Sequence, residues 1–263
     1  MNFNLMQAFH NKELVGWNST DSIIHSCQLI YPVFVSDQTE DCTVIESGTL
    51  PIFKRFSLSG LLSHLKELRN IKSILLFGLV KDCDKDITGS MADNPDSIII
   101  KAIKEIKSQT KLNLISDVCL CHYTDSGSCG IVDETGNIKL KETQDRLSTI
   151  AYQYALAGVD VVAPSCMMDG IVKKIKEKMN QFSMPKVAIM AYSAKFCSKF
   201  YYPFRKLVGS NPIYNNRCTH QLPHGSKGLA LRAMRRDVAD GADVLMVKPS
   251  TIYCDIISAG KFQ

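Results

Sequence analysis

An α/β domain is the fold class this sequence predicts, and three observations predict it. Short apolar runs alternate with stretches of helical pattern, which reads as successive βα units. At 263 residues and 45% hydrophobic content the chain can bury one large core. Its chemically capable residues also fall at or just past the carboxyl ends of the apolar runs, the face that carries catalytic groups in parallel α/β barrels.

In chain order, residues 1–27 are polar and weakly periodic, with Leu5, Met6, Phe9, Leu14 and Trp17 as their large apolar anchors, and read plainly as a flexible terminus. The remainder, 28–263, reads as one domain. Strands are predicted at 28–35, 72–79, 112–119, 159–163, 186–191 and 243–248. Helices are predicted at 58–69, 96–108, 141–157, 168–181 and 227–240. The helix at 141–157 puts Leu147, Ile150, Ala151, Tyr154 and Ala155 on one stripe. Ala157-Gly158 and Asp240-Gly241 end helices with the glycine a C-cap favours. The connection at 196–226 is far longer than the roughly two to six residues usual in α/β units, which fits an active-site lid. Gly225-Ser226-Lys227-Gly228 lacks the spacing of a phosphate loop and reads as the turn before the next helix. Six strands are two short of the eight that close a TIM barrel. An open six-stranded version leaves 28–35 and 243–248 as unpaired edges and exposes the inner face.

Composition narrows the function. The net charge is +5 with no basic run, which argues against nucleic acid and suits a carboxylate substrate. No apolar stretch reaches the roughly 18 residues of a membrane span, so no membrane partner is expected. Ten cysteines without a signal-peptide pattern imply a reducing compartment, hence a cytoplasmic location.

Lys195 follows Val187–Ala194, and Lys248 follows Ala242–Val247, both apolar strand-like runs. A lysine desolvated by such surroundings loses basicity and can attack a carbonyl to form a Schiff base. Two at similar strand ends suggest two carbonyl substrates held side by side. The plainer reading is that each amine snorkels from a strand end. The run Asp117-Val118-Cys119-Leu120-Cys121-His122 leads to Cys129 through a glycine-containing loop. On a continuing strand Asp117, Cys119 and Cys121 share one face and His122 points to the other. Three thiolates can then converge on zinc and leave a coordination position open; the alternative is three inert buried cysteines. Asp82, Asp84 and Asp86 read as a solvated charged loop. Cys27, Cys42, Cys83, Cys197, Cys218 and Cys254 read as scattered singly, and His10, His25, His64, His220 and His224 show no ligand spacing to one another.

Taken together the chain resembles the porphobilinogen synthase (delta-aminolevulinic acid dehydratase) family, zinc-dependent type. The resemblance runs through Leu29–Val35, Leu76-Phe77-Gly78, Lys85–Ser90, Asp117–Gly130, Val162–Ser165, Met167–Gly170, Tyr192–Phe196, Tyr202–Arg205, Gln221–Pro223, Gly228–Ala233 and Met246–Pro249. It implies a TIM (β/α)8-type barrel that condenses two 5-aminolevulinate molecules to porphobilinogen in haem biosynthesis. It implies a Schiff base to the first substrate at Lys248 and to the second at Lys195. Cys119, Cys121 and Cys129 match the zinc ligands, and Arg205 and Arg217 the grip on the second substrate's carboxylate. Gln221, Ser165 and Asp117 match polar active-site positions, and Phe77 an apolar wall. The resemblance also makes residues 1–27 an N-terminal arm that wraps a neighbouring subunit and 28–263 an incomplete TIM-barrel catalytic domain, in a homo-oligomer that is an octamer in the family.

Two departures accompany the resemblance. Cys166 stands where the family places an aspartate; it is expected either to compete for the metal's open position or to face Lys195. The family pattern also continues beyond Gln263 through its last two βα units, which supply a carboxylate-binding serine and tyrosine. A C-terminally truncated form with low activity is therefore expected. Two other readings stand beside the synthase. One is a catalytically impaired isoform that only binds zinc or associates with other subunits. The other is a different Schiff-base lyase or aldolase, which the paired lysines and the cysteine loop count against.

Overall fold

A computed structural model describes residues 11–17, 24–37, 42–47, 50–184, 186–201, 204–205, 208–210, 213 and 217–261. The arm anchors Leu5, Met6 and Phe9, the lid residues Tyr202 and Pro203, and the terminal Gln263 lie outside the described residues, as do the side chains of Leu14 and Trp17.

The strands are β1 (Ile30–Ser36), β2 (Cys42–Ser47), β3 (Leu50–Phe56), β4 (Ser73–Leu79), β5 (Asn113–Val118), β6 (Val161–Pro164), β7 (Ala188–Lys195) and β8 (Val244–Lys248). The helices are α1 (Lys12–Trp17), α2 (Leu58–Glu67), α3 (Ile98–Gln109), α4 (Leu140–Ala157), α5 (Ile171–Gln181), α6 (Lys227–Ala239) and α7 (Cys254–Lys261). All eight strands form one sheet in the order β2-β3-β1-β4-β5-β6-β7-β8. Seven run parallel, and only β2 is antiparallel to its neighbour.

The six predicted strands are all present, and so are the five predicted helices. The β2–β3 hairpin was not expected. It is inserted between β1 and α2, and β3 pairs with β1 through Phe34↔Arg55 and Val35↔Phe56. Residues 28–35 are therefore not the bare edge the sequence suggested: the carboxyl end of β1 is covered, while its amino end lacks this pairing. Among the described residues β8 does form an edge.

Side-chain alternation sorts the strands' residues onto two faces. Val33 and Val35 of β1 and Ile74 and Leu76 of β4 join the larger core beneath the helices, with Ile99, Ile103 and Ile106 of α3. Phe34, Leu75, Phe77, Ile115, Ala163, Met190 and Tyr192 form a second cluster on the inner face. Such two-sided burial explains the near-continuous apolar runs. The predicted stripe of α4 is buried at all five positions. Ser57 and Ser97 cap α2 and α3, their hydroxyls accepting the backbone N–H of Gly60 and Ile100. Gly158 follows α4 at φ +114°, a conformation open to glycine and costly for other residues.

Leu76 is completely buried between β4 and α3. Leu76→Ala is expected to cost about 2–5 kcal/mol of unfolding free energy, read from denaturant titration. A loss below about 1 kcal/mol would mean that this layer is not the core. Among the described residues no helix is long and apolar enough to cross a membrane.

Candidate active site

Strand register builds the centre of the site. β7 and β8 pair in parallel with Lys195 directly opposite Lys248. The register shifts between Ala191 and Ala194, where β7 carries one residue more than β8. Tyr192 and Lys195 consequently both reach the inner cavity, although an odd spacing would put them on opposite faces of a regular strand. The two amines flank the Tyr192 ring, with Nζ 5.4 Å from its centroid for Lys195 and 5.5 Å for Lys248. Lys248 Nζ also sits 4.8 Å from the Phe204 ring and 5.6 Å from that of Tyr201. Lys195 is buried and donates to the Ser165 carbonyl oxygen at 2.7 Å.

This setting changes the acid–base character of the pair's neighbours. Burial, assisted by the charge of Lys195, lowers the Lys248 amine from the usual lysine range to about 8. Asp117, at the end of β5, is buried, and desolvation lifts its carboxyl to about 6 against the opposing pull of Lys195, Ser165 and Lys248. The cavity is lined by both lysines, Asp117, Ser165, Phe77, Cys121 and Arg217. Tyr192, Tyr201 and Phe204, to which the sequence reading gave no role of their own, complete it with His122, which that reading weighed as an extra metal ligand turned to the opposite face.

The cysteine cluster forms, but not on a continuing strand. β5 ends at Val118, and Cys121 is reached through a turn. Cys119, Cys121 and Cys129 are buried with their sulfurs all within 4.8 Å of one another, and Cys119 Sγ lies 3.3 Å from Cys121 Sγ. Sulfurs sharing a tetrahedral zinc at about 2.3 Å stand about 3.8 Å apart, so the three fit a zinc ion in geometry and in donor softness. Hydrogen bonds from Cys119 and Cys121 hold the Cys129 thiol well below its ordinary range, against burial. The turn also brings His122 to the cavity side, edge-on to Phe77, contrary to the strand-based expectation. Burial pushes its imidazole down to about 3, so it is neutral. Cys166 is buried outside the trio, its thiol raised to about 12 by desolvation, and the backbone N–H of Met168 donates to it. It does not compete for the metal position in this arrangement.

The lid supplies the remaining predicted residues. Arg217 is buried, and its Nη2 donates to Gly127 O at 3.2 Å and Ser210 O at 2.6 Å, so it ties the lid to the cysteine loop. Burial works against its charge, but Cys129 and Cys121 beside it keep the guanidinium above its ordinary value. Arg205 lies on the lid near Arg217 and presents Nε and Nη2 buried without a hydrogen-bond partner. Both amide atoms of Gln221 are also buried and unpartnered. Arg205 and Gln221 do not line the innermost cavity with the others. Lys85 pins the same segment from the far side, donating to Gly209 O at 2.9 Å and Asp82 Oδ1 at 2.7 Å.

A parallel α/β sheet with two amines, a carboxyl and a thiol cluster gathered at its strands' carboxyl ends defines a barrel-type enzyme. The profile of the delta-aminolevulinic acid dehydratase family matches residues 6–263. The dehydratase of Bos taurus is 42% identical over 257 residues, covering 96% of this chain and 78% of its own. That of Methanothermus sociabilis is 44% identical over 231 residues, covering 87% and 71%. The crystal structure of the Toxoplasma gondii ME49 enzyme, in complex with its reaction product porphobilinogen, superposes with a TM-score of 0.92 at 32% identity. That match covers 98% of this chain and 74% of the other. The chain belongs to the delta-aminolevulinic acid dehydratase family, whose members are lyases.

Proposed function

We propose that this chain joins two molecules of 5-aminolevulinate into porphobilinogen, with loss of water, in haem biosynthesis. The observation that carries the reading is the pairing of Lys195 with Lys248 across one cavity, each amine against the same tyrosine ring. Two ketone substrates held side by side call for two neighbouring amines, which Lys195 and Lys248 supply from adjacent strands about 4.8 Å apart, and family membership supplies the chemistry.

Lys248 and then Lys195 attack the ketone carbons of the first and second substrates. Each attack forms a C=N bond and releases the carbonyl oxygen as water. The lowered basicity of Lys248 keeps about one amine in ten unprotonated at pH 7, against fewer than one in a thousand for an ordinary lysine. Asp117, poised near neutrality, accepts and returns protons beside both imines. Arg205, Arg217 and Gln221 hold the second substrate's carboxylate, and the unpartnered donors of Arg205 and Gln221 support that role. Ser165 positions Lys195, and Phe77 walls the cavity. Cys119, Cys121 and Cys129 hold zinc. When bound, the metal supplies Lewis acidity next to Cys121, the ligand that also lines the cavity.

Residues 1–27 serve as an arm on a neighbouring subunit of a cytoplasmic homo-oligomer; the exposed Val15 and Ile24 support this. A second reading is a protein that associates with other subunits without turning over. The apolar inner-face cleft bordered by Ile30, Pro32, Leu75 and Met246 favours it. Turnover of 5-aminolevulinate to the pyrrole product, or its absence in a zinc-loaded folded sample, separates the two.

Borohydride reduction in the presence of 5-aminolevulinate tests the lysine assignment by peptide mapping. Adducts are expected on Lys248 first and Lys195 second. The Lys248 trapping rate is expected to rise with pH and level off above about 8, because the unprotonated amine is the nucleophile and its protonated form dominates below that value. A rate still climbing tenfold per pH unit at pH 9 would show an unperturbed amine.

A further inference from the structure

Cys197 and Cys218 look unrelated in the sequence, yet their Sγ atoms lie 3.2 Å apart. We propose that they form a reversible disulfide that fastens Tyr201, Phe204 and Arg217 into the cavity wall. Cys197 follows Lys195 by two positions, and Cys218 follows Arg217. Arg217 has a left-handed backbone, φ +66°; its side chain is buried while the adjacent Cys218 is exposed. The base of the segment is already zipped on one side. Leu222 N donates to Lys195 O at 3.0 Å, and Cys197 N donates to Leu222 O at 2.8 Å. The intervening chain carries Tyr201, Phe204 and Arg217, all facing the cavity. A bond between the two sulfurs therefore closes a loop whose contents are part of the site wall. Neither sulfur belongs to the Cys119, Cys121 and Cys129 group, so oxidation here leaves that group intact.

The chemistry is thiol–disulfide exchange with a low-molecular-weight disulfide such as glutathione disulfide. The exposed Cys218 thiolate attacks one sulfur of the oxidant, whose S–S bond breaks and expels one glutathione. The Cys197 thiolate then attacks the Cys218 sulfur and expels the second. The two cysteines lose two electrons and two protons, and one glutathione disulfide becomes two glutathiones.

The test uses the full chain with zinc chloride present, equilibrated in glutathione mixtures from reduced to largely oxidised. Samples are quenched with N-ethylmaleimide and digested without reductant for mass spectrometry. The expected result is a peptide pair linked through Cys197 and Cys218 that grows with the oxidised fraction and is lost after dithiothreitol. Tryptic cleavage after Lys199 and Arg205 in the intact protein should slow in step. In Cys197→Ser and Cys218→Ser the linked pair should vanish and the remaining cysteine should carry glutathione. The proposal is overturned if the unaltered chain carries glutathione on each cysteine separately at ratios that modify the exposed Cys254. It is equally overturned if Cys218 links to Cys129 instead. None of these readouts depends on turnover, so they stand or fall apart from the catalytic reading.

Discussion

Replacing Lys248 with alanine is expected to remove the first-substrate adduct completely and to lower product formation by about four orders of magnitude or more, the scale on which a covalent nucleophile is lost. No other amine replaces it. Lys195 is held by the Ser165 carbonyl on the neighbouring strand. Lys248→Arg should fail as well, because a guanidinium does not give up its proton in a protein. Lys195→Ala should instead retain the adduct on Lys248 while product formation is lost, which separates the two roles. Intact mass after borohydride reduction reads both variants even where turnover is slow. An undiminished adduct in Lys248→Ala would place the first Schiff base elsewhere and undo the assignment.

Cys129→Ser is expected to abolish stoichiometric zinc binding at micromolar free metal. A hydroxyl is a harder donor that stays protonated, and the loss should exceed the roughly 10- to 100-fold that outer-shell changes cost. Cys129 is the ligand that the loop returns from outside β5, so its loss leaves only Cys119 and Cys121 at the strand end. Cys254→Ser, at an exposed site, should leave binding unchanged. X-ray absorption on the zinc-loaded chain should show three sulfurs near 2.3 Å and one lighter atom. Because Cys166 lies outside the trio, Cys166→Asp should not alter the sulfur count. Four sulfurs in the unmodified protein would contradict this arrangement of the loop.

Much of the frame was legible from pattern alone, because parallel strands buried on both faces and helices with one apolar stripe leave strong local signals. The hairpin left a weak one. Pro51, Lys54 and Arg55 interrupt β3, and Glu46 interrupts β2, so neither reads as a buried strand. In the site, Lys195, Lys248, Asp117, Cys119 and Cys121 could be singled out because each lies at a strand end or follows one closely, and Cys129 because a glycine-containing loop can return it. His122 was misplaced because its orientation depends on where β5 stops. Tyr201 and Phe204 reach the cavity only through the return of the lid across the strand ends, which no spacing encodes. The same return brings Cys218 to Cys197.

The extra residue in β7 carries a consequence for how this stretch can vary. Opposite a regular strand, side chains obey odd–even arithmetic, and the segment from Tyr192 to Lys195 breaks it by one count. What this segment must preserve is therefore the surplus residue together with the irregularity that absorbs it, since three steps here do the work of two. Removing one residue at Ser193 would leave a regular strand in which the tyrosine and the lysine, now two apart, still share the inner face. Keeping all three steps while smoothing the bulge into regular strand would turn the lysine to the far side of the sheet. A homologue or design should therefore be judged on interval and bulge together: an interval of three needs the bulge, and an interval of two needs its absence.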